Sequence, residues 1–326
     1  MIVTSDFKPA WWLTNEHAQT IYPTLMRHRS ALIDKHERLE LPDGDFIDLA
    51  WAVNGLGGDA PLVVFLHGLG GGSHSAYAPG LLSAFNRAGF RAVLMHFRGA
   101  SHEPNRLSRA YHSGDTGDLS FLLKTLHERE PHTKKVAVGV SLGGNVLLKW
   151  LGESGSNSLL QAAVAVSVPF QLQSVADKVN QGFSRLYQAH LLRSLRRTFV
   201  RKFSDENVMF PFSAEELNKL SCFWTFDDRV TAPLHGFPNV HAYYREVSSK
   251  QFLRNITTPT LVIHSLDDPF MTQEIIPKEG DLSSDVTLEL SDHGGHVGFI
   301  SGKIPGRPIY WLEHRIPLFL KERLTF

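Results

Sequence analysis

A chain of 326 residues, 42% of them hydrophobic, can bury a large core and still carry an insertion within an α/β domain. Its 33 Lys+Arg balance 33 Asp+Glu, so no global field points to a nucleic-acid partner. The single cysteine, Cys222, excludes an internal disulfide; it is read as an ordinary core thiol in a reducing compartment.

Residues Met1 to Ala10 lack the basic region and apolar run of a signal peptide, and no stretch reaches about eighteen uninterrupted apolar residues. The expectation is a cytoplasmic protein without a spanning helix. Phe7 to Arg27 is rich in aromatics but shows no clean period, and is expected to wrap the domain surface. Arg38 to Val53 alternates and breaks at Pro42-Asp43-Gly44-Asp45, which predicts a hairpin.

Pro61 to Leu66 is a continuous apolar run, the pattern of a parallel strand covered on both faces. It leads into His67-Gly68-Leu69-Gly70-Gly71-Gly72. A glycine-rich loop at such a strand end can turn backbone N–H groups toward a reacting oxygen. No G-x-x-x-x-G-K-[ST] or G-x-G-x-x-G is present, so a phosphate cradle falls behind. Leu69 is the donor chosen from this loop, with Gly70 as the alternative.

Ala78 to Ala88 reads as a helix and Arg91 to Phe97 as the next strand. A polar connector follows, with Asp115 or Ser113 expected to cap a helix over Thr116 to Glu128 whose apolar face holds Leu119, Leu122, Leu123 and Leu126. Arg98 is read as the partner of a nearby carboxylate, ahead of a role in substrate binding.

Lys135 to Gly144 reads as a buried strand, a tight turn and a helix start, with the helix running from Gly143 to Gly155 and Val146, Leu147 and Trp150 on one face. Within it, Gly139-Val140-Ser141-Leu142-Gly143 matches G-x-S-x-G, the nucleophile elbow of α/β-hydrolases. The elbow holds its serine in a strained conformation, which calls for small neighbours. Ser141 then stands at a helix N-terminus, where free N–H groups favour negative charge, and Leu142 supplies the second oxyanion donor.

Ala162 to Val168 is another buried strand. Alternating strands and helices from Pro61 onward predict a mostly parallel sheet of right-handed βαβ units. From Phe170 to about Gly236 no strand-like run occurs; long helical stretches such as Val175 to Phe203 appear instead. The expected division is a core over 1–169, a helical lid over 170–236, and the rest of the core over 237–326. Arg185, Arg193, Arg196, Arg197, Arg201 and Lys202 are read first as a solvated helix face, and second as a contact for an anionic head group or membrane surface.

Pro259 to His264 returns as a strand and runs into Asp267-Asp268-Pro269. Val286 to Leu290 is expected to be the last strand, before His293-Gly294-Gly295-His296, and Tyr310 to Arg323 closes the chain as an amphipathic helix. A serine hydroxyl needs a base and a carboxylate that orients it, in α/β-hydrolases in the order Ser, Asp, His. Ser141, Asp268 and His296 are the residues chosen, with Asp267 and His293 as alternatives expected to hold the loops.

The chain resembles the YheT-like branch of the α/β-hydrolase superfamily, which shares its pattern with eukaryotic membrane-associated hydrolases. The resemblance rests on Pro9-Ala10-Trp11-Trp12, His17, Gln19-Thr20, the His67 to Gly71 loop, Phe97-Arg98-Gly99 and Pro104-Asn105. It continues in Tyr111-His112-Ser113-Gly114, Gly139 to Asn145, Asp267-Asp268-Pro269 and Gly294-Gly295-His296 with Gly298-Phe299. His96 and Ala100-Ser101-His102 depart from the family's more frequent Asn and Cys-Ser-Gly.

The resemblance implies an α/β-hydrolase fold, a mostly parallel sheet flanked by helices with a helical lid. It also implies esterase or lipase-type cleavage of small, lipid-like carboxylic esters through an acyl-enzyme, without metal or organic cofactor. Carried over position by position, the family's triad falls on Ser141, Asp268 and His296. A thioesterase or amidase would use the same residues, and a catalytically silent binding protein is the reading from another class. A dehalogenase or epoxide hydrolase of this fold would carry Asp at the elbow, where Ser141 stands.

Overall fold

The apolar runs assemble side by side because each is buried along its whole length, and only helices on both faces of a sheet can cover such strands. The computed structural model describes residues 1–27, 33–203 and 212–324. Its strands are β1 (Ile2–Thr4), β2 (Lys35–Glu40), β3 (Phe46–Ala52), β4 (Leu62–Leu66), β5 (Arg91–Met95), β6 (Lys135–Val140), β7 (Ala162–Val166), β8 (Thr260–Ser265) and β9 (Val286–Ser291). They form one sheet in the order β1-β9-β8-β7-β6-β4-β5-β3-β2. Pairing is parallel from β1 to β5, and β3 and β2 add antiparallel at the far edge. β10 (Ile300–Ser301) and β11 (Ile309–Tyr310) pair apart from it, so the Val286–Leu290 run is not the last strand.

The helices are α1 (Glu16–Met26), α2 (Ala78–Arg87), α3 (Gly117–Arg129), α4 (Leu142–Ser154), α5 (Leu172–Val179), α6 (Ser184–Lys202), α7 (Ala214–Lys219), α8 (Phe223–Phe226), α9 (Ala232–Leu234), α10 (Val240–Val247) and α11 (Leu312–Leu324). Side chains alternate across β4, so its two faces feed two cores. Leu62, Val64 and Leu66 pack with Leu122 of α3 and Leu147 of α4, whereas Val63 and Phe65 pack with Phe85 of α2 and Leu320 of α11. Between the neighbouring strands β7 and β8 the described chain is helical, and it remains so past 236 through α10 and a short turn at Ser249–Asn255. Residues 204–211 of the expected lid lie outside the described residues.

Several local expectations are corrected. The aromatic N-terminal stretch contains α1, capped by the Asn15 side chain, which accepts from the His17 and Ala18 N–H groups. Its period is hidden because only Gln19 and Pro23 are buried. Neither Asp115 nor Ser113 caps α3: Asp115 accepts two bonds from Arg109 at 3.0 Å, and the Ser113 N–H donates to the Tyr243 hydroxyl. The helical stretch of 175–203 is two helices, broken where Gly182 adopts φ +51°. Cys222 is half-buried beside the Thr225 hydroxyl at the start of α8 and is not a core thiol. Arg185, Arg193, Arg197 and Arg201 face solvent on α6, but Lys202 is buried and donates to Asn105 Oδ1 and the Arg109 carbonyl.

Arg98 ties three segments together. Its guanidinium reaches both Asp118 oxygens at 2.7 Å, Asp43 at 2.7 Å and Asp45 at 3.1 Å, and it is only 3% exposed. The β2–β3 turn, the connector after β5 and the first turn of α3 are thereby fixed to one cation. Arg98→Met leaves the buried Asp45 and Asp118 carboxylates without their cation, and is expected to lower stability by about 3–5 kcal/mol; urea unfolding measures it.

Candidate active site

Strands β4 and β6 are neighbours, with Leu66 opposite Gly139, so the glycine-rich loop and the elbow emerge side by side. Ser141 adopts φ +53°, and the chain turns there from β6 into α4. A Cβ on Gly143 would stand 2.5 Å from the Leu66 carbonyl oxygen and 2.6 Å from that of His67. Any larger residue would push α4 away from the sheet. The Ser141 N–H donates to the Val166 carbonyl at 2.8 Å, and its own carbonyl accepts from the Asn145 N–H at 3.0 Å.

His296 comes from the loop after β9, and four side chains hold that loop, from the end of β8, from α1 and from the end of β7. The Gly295 N–H donates to Asp267 Oδ1 at 2.9 Å, and the Ser265 hydroxyl donates to the Gly295 carbonyl at 2.7 Å. The His296 N–H reaches Thr20 Oγ1 at 2.9 Å, and the Val297 N–H reaches Ser167 Oγ at 3.1 Å. His296 Nε2 then lies 3.0 Å from Ser141 Oγ, and Nδ1 lies 2.7 Å from Asp268 Oδ2. The other oxygen of the buried Asp268 accepts the Phe270 N–H at 2.9 Å, and the Phe270 ring stacks on the imidazole at 4.1 Å. In a neutral ring this geometry puts the proton on Nδ1 and leaves Nε2 to accept from the serine hydroxyl. The alternatives pair with each other: His293 Nδ1 lies 3.2 Å from Asp267 Oδ2.

The loop after β4 is oriented by two tyrosines. The Gly68 N–H donates to the Tyr77 hydroxyl and the Gly70 N–H to the Tyr111 hydroxyl, both at 2.8 Å. Gly70 is thus engaged, whereas the Leu69 N–H and the Leu142 N–H in the first turn of α4 have no partner among the described residues. Burial pushes the Tyr111 hydroxyl up to about 12, so it stays protonated. His67, fully buried behind the loop, donates from Nδ1 to the Gly68 carbonyl at 2.8 Å and accepts the Phe97 N–H on Nε2 at 3.3 Å.

Two cavities meet at Ser141 and His296. A cavity of about 110 Å³ runs beneath the helical insertion, among Leu172, Val175, Leu195, Phe199 and Phe226. A wider one of about 510 Å³ opens between the glycine loop, α1 and α6, with Ile21, His74, Leu186 and His190 on its walls. Sequence reasoning assigned no role to Thr20, Tyr77, Tyr111 or Phe270. Thr20 lies on α1, which buries only Gln19 and Pro23 and so carries no clean period; Tyr111 and Thr20 stand in the sequence only among the motif residues of the resemblance. Among the described residues no three His, Cys, Asp or Glu side chains converge as a metal site, and no helix is long and apolar enough to cross a membrane.

A family model described as alpha/beta hydrolase fold matches residues 61–303. The chain is 43% identical to YheT of Escherichia coli (strain K12), a candidate esterase by name, over 98% of this chain and 94% of that one. It is 28% identical to the human phospholipase ABHD3, over 95% of this chain and 77% of that one. With the monoacylglycerol lipase of Saccharomyces cerevisiae it shares 30% identity over 80% of this chain and 59% of that one. The solved esterase Pf2001 of Pyrococcus furiosus is similar in fold, with TM-score 0.57 at 17% identity over 88% of this chain and 92% of that one.

The buried His67 makes stability depend on pH. Burial, with His96 nearby, lowers its pKa from 6.5 to about 3. Between those values the unfolded chain binds a proton that the folded one refuses, so stability falls as pH falls. The loss from this residue reaches about 2 kcal/mol by about pH 5. Urea midpoints recorded from about pH 7 to about pH 5 are expected to drop, and to drop less steeply in His67→Asn.

Proposed function

The chain belongs to the α/β-hydrolase family, in its YheT-like branch, and from that premise we propose that it is a serine hydrolase that cleaves carboxylic esters through an acyl-enzyme. The observation that carries the reading is the hydrogen-bonded line from Ser141 Oγ through His296 to Asp268, at 3.0 and 2.7 Å, at the junction of two cavities. Names among its relatives, an esterase, a phospholipase and a monoacylglycerol lipase, support the esterase and lipase type of chemistry.

Ser141 Oγ attacks the acyl carbonyl carbon while His296 Nε2 takes its proton. Asp268 holds Nδ1–H and stabilises the imidazolium that forms. The N–H groups of Leu69 and Leu142 receive the oxyanion of the tetrahedral intermediate, a stabilisation available only once the charge develops. His296 returns the proton to the leaving alcohol, and the acyl group remains on Ser141. Water then attacks with His296 again as base, releasing the acid and free Ser141. None of these steps calls for a metal or an organic cofactor.

The smaller, mostly apolar cavity suits the acyl chain, and the wider one suits the alcohol as it enters and leaves. The helices from α5 to α10 act in this reading as the lid, since open α/β sheets bind ligands at the carboxyl ends of their strands.

On p-nitrophenyl esters from acetate to palmitate, Ser141→Ala is expected to lose at least about 10³-fold in kcat while keeping the wild-type fold by circular dichroism. An active-site fluorophosphonate should label the wild type and spare the variant; labelling elsewhere in the chain would sink the assignment. Asp268→Asn, which disturbs the imidazole tautomer, is expected to lower kcat by about 10³–10⁴-fold. Asp267→Asn should cost less, and the reverse order in steady-state assays would exchange the two roles.

A further inference from the structure

The smaller cavity is apolar for most of its wall, yet it is lined by a carboxyl group that has no counter-ion among the described residues. Asp227 lines it from a π turn, Asp227–Thr231, the widened turn that takes a side chain out of regular helical spacing. Its Oδ1 accepts the Thr231 hydroxyl at 2.6 Å and its Oδ2 accepts the Tyr244 hydroxyl at 2.8 Å. Among the described residues no Lys, Arg or His forms an ion pair with it. A carboxylate has about four acceptor sites, so two neutral donors leave it under-satisfied. Holding a helical turn needs no such group, because a neutral side chain would do so without the cost of desolvating a charge.

A complementary donor lies on the same cavity. His112 accepts the Gly114 N–H on Nδ1 at 3.1 Å, which places the proton of the neutral ring on Nε2. That Nε2–H has no partner among the described residues. The adjacent His235 is already engaged, with its two nitrogens 2.7 Å from the Thr231 and Ala110 carbonyls. Within a mostly apolar wall the cavity therefore offers the Asp227 carboxylate as an acceptor and the His112 ring as a donor. Beside them are the hydroxyls of Tyr111 and Tyr243, which accept the Gly70 and Ser113 N–H groups, and that of Tyr244, which is held by Asp227. An alkyl chain satisfies neither and an anionic chain end is repelled by Asp227, whereas an ammonium group cannot accept from His112. A hydroxyl both donates and accepts.

We propose that the smaller cavity selects an acyl chain bearing a hydroxyl group, received by the Asp227 carboxylate and the His112 imidazole. The proposal rests on the reading of Ser141 as the nucleophile at the mouth of that cavity. Burial raises the Asp227 pKa to about 6, which leaves the group mostly ionised, and so an acceptor, at neutral pH.

The test uses matched pairs, methyl ω-hydroxyalkanoates from butanoate to decanoate beside the plain methyl alkanoates. Both series are titrated calorimetrically into Ser141→Ala protein and given to the active protein. At the matching chain length the hydroxylated ester is expected to bind and turn over about ten- to hundredfold better than its partner. Asp227→Leu should erase that ratio and Asp227→Asn should retain part of it; if the leucine variant does not fold, Asp227→Asn and His112→Gln carry the comparison. No preference at any length overturns the proposal, as does a preference that survives in the variants. An equal loss on both members of a pair also overturns it, being the mark of a residue that only holds its turn. A preference confined to hydroxyls in the alcohol portion does the same. Failure of the nucleophile reading shows separately, as turnover that survives Ser141→Ala.

Discussion

Everything at the site depends on how closely α4 approaches the sheet. Gly143 lies against the carbonyls of Leu66 and His67, and that contact lets the chain reverse at Ser141 with a positive φ. The same contact brings the first turn of α4 beside the loop after β4, so the free N–H groups of Leu69 and Leu142 belong to one small region. The strain at Ser141 is offset by the sheet beneath it, where β4, β6 and β7 are buried throughout.

The two remaining members of the proposed triad are positioned differently, by hydrogen bonds more than by packing. Asp268 and Asp267 are adjacent in sequence but separate in effect. One faces the imidazole, and the other holds the backbone of Gly295 in the loop that carries the imidazole. Thr20 extends that support to α1, an element outside the sheet. Phe270 covers the ring face, so His296 is fixed in plane by stacking and in rotation by its two nitrogen partners. Because the loop after β8 holds the ring on two of its sides and α1 holds its backbone, the imidazole has little freedom to leave the serine.

Much of this was legible in the sequence because strong periodicity and short motifs carry it. The runs at Pro61, Lys135, Ala162, Pro259 and Val286 each became a buried strand, and G-x-S-x-G fell on a strand-to-helix turn. The three residues that meet by hydrogen bonds, Ser141, Asp268 and His296, were readable as a set since each follows a strand. The aromatic N-terminal stretch was not, because a helix that buries only Gln19 and Pro23 leaves almost no apolar stripe. Lys202 looked like one charge among many; its burial depends on the Asn105 and Arg109 acceptors brought in from a distant connector. Cys222 and Asp227 were likewise unreadable in place, since the packing of the insertion sets their exposure and not their local pattern. A π turn has no sequence signature of its own.

The placement of the helical insertion between β7 and β8 also bears on how the protein reaches its active form. These two strands are hydrogen-bonded neighbours, yet the whole insertion must be looped out before they can pair. Closing so long a loop carries an entropic cost that local contacts cannot repay in advance, so this parallel pairing is intrinsically slow. Asp268 and His296 both lie beyond that closure, while Ser141 and its elbow lie before it. An emerging chain can therefore complete the turn at Ser141 on contacts among β4, β6 and β7, but Asp268 and His296 arrive only when the sheet is joined across the gap.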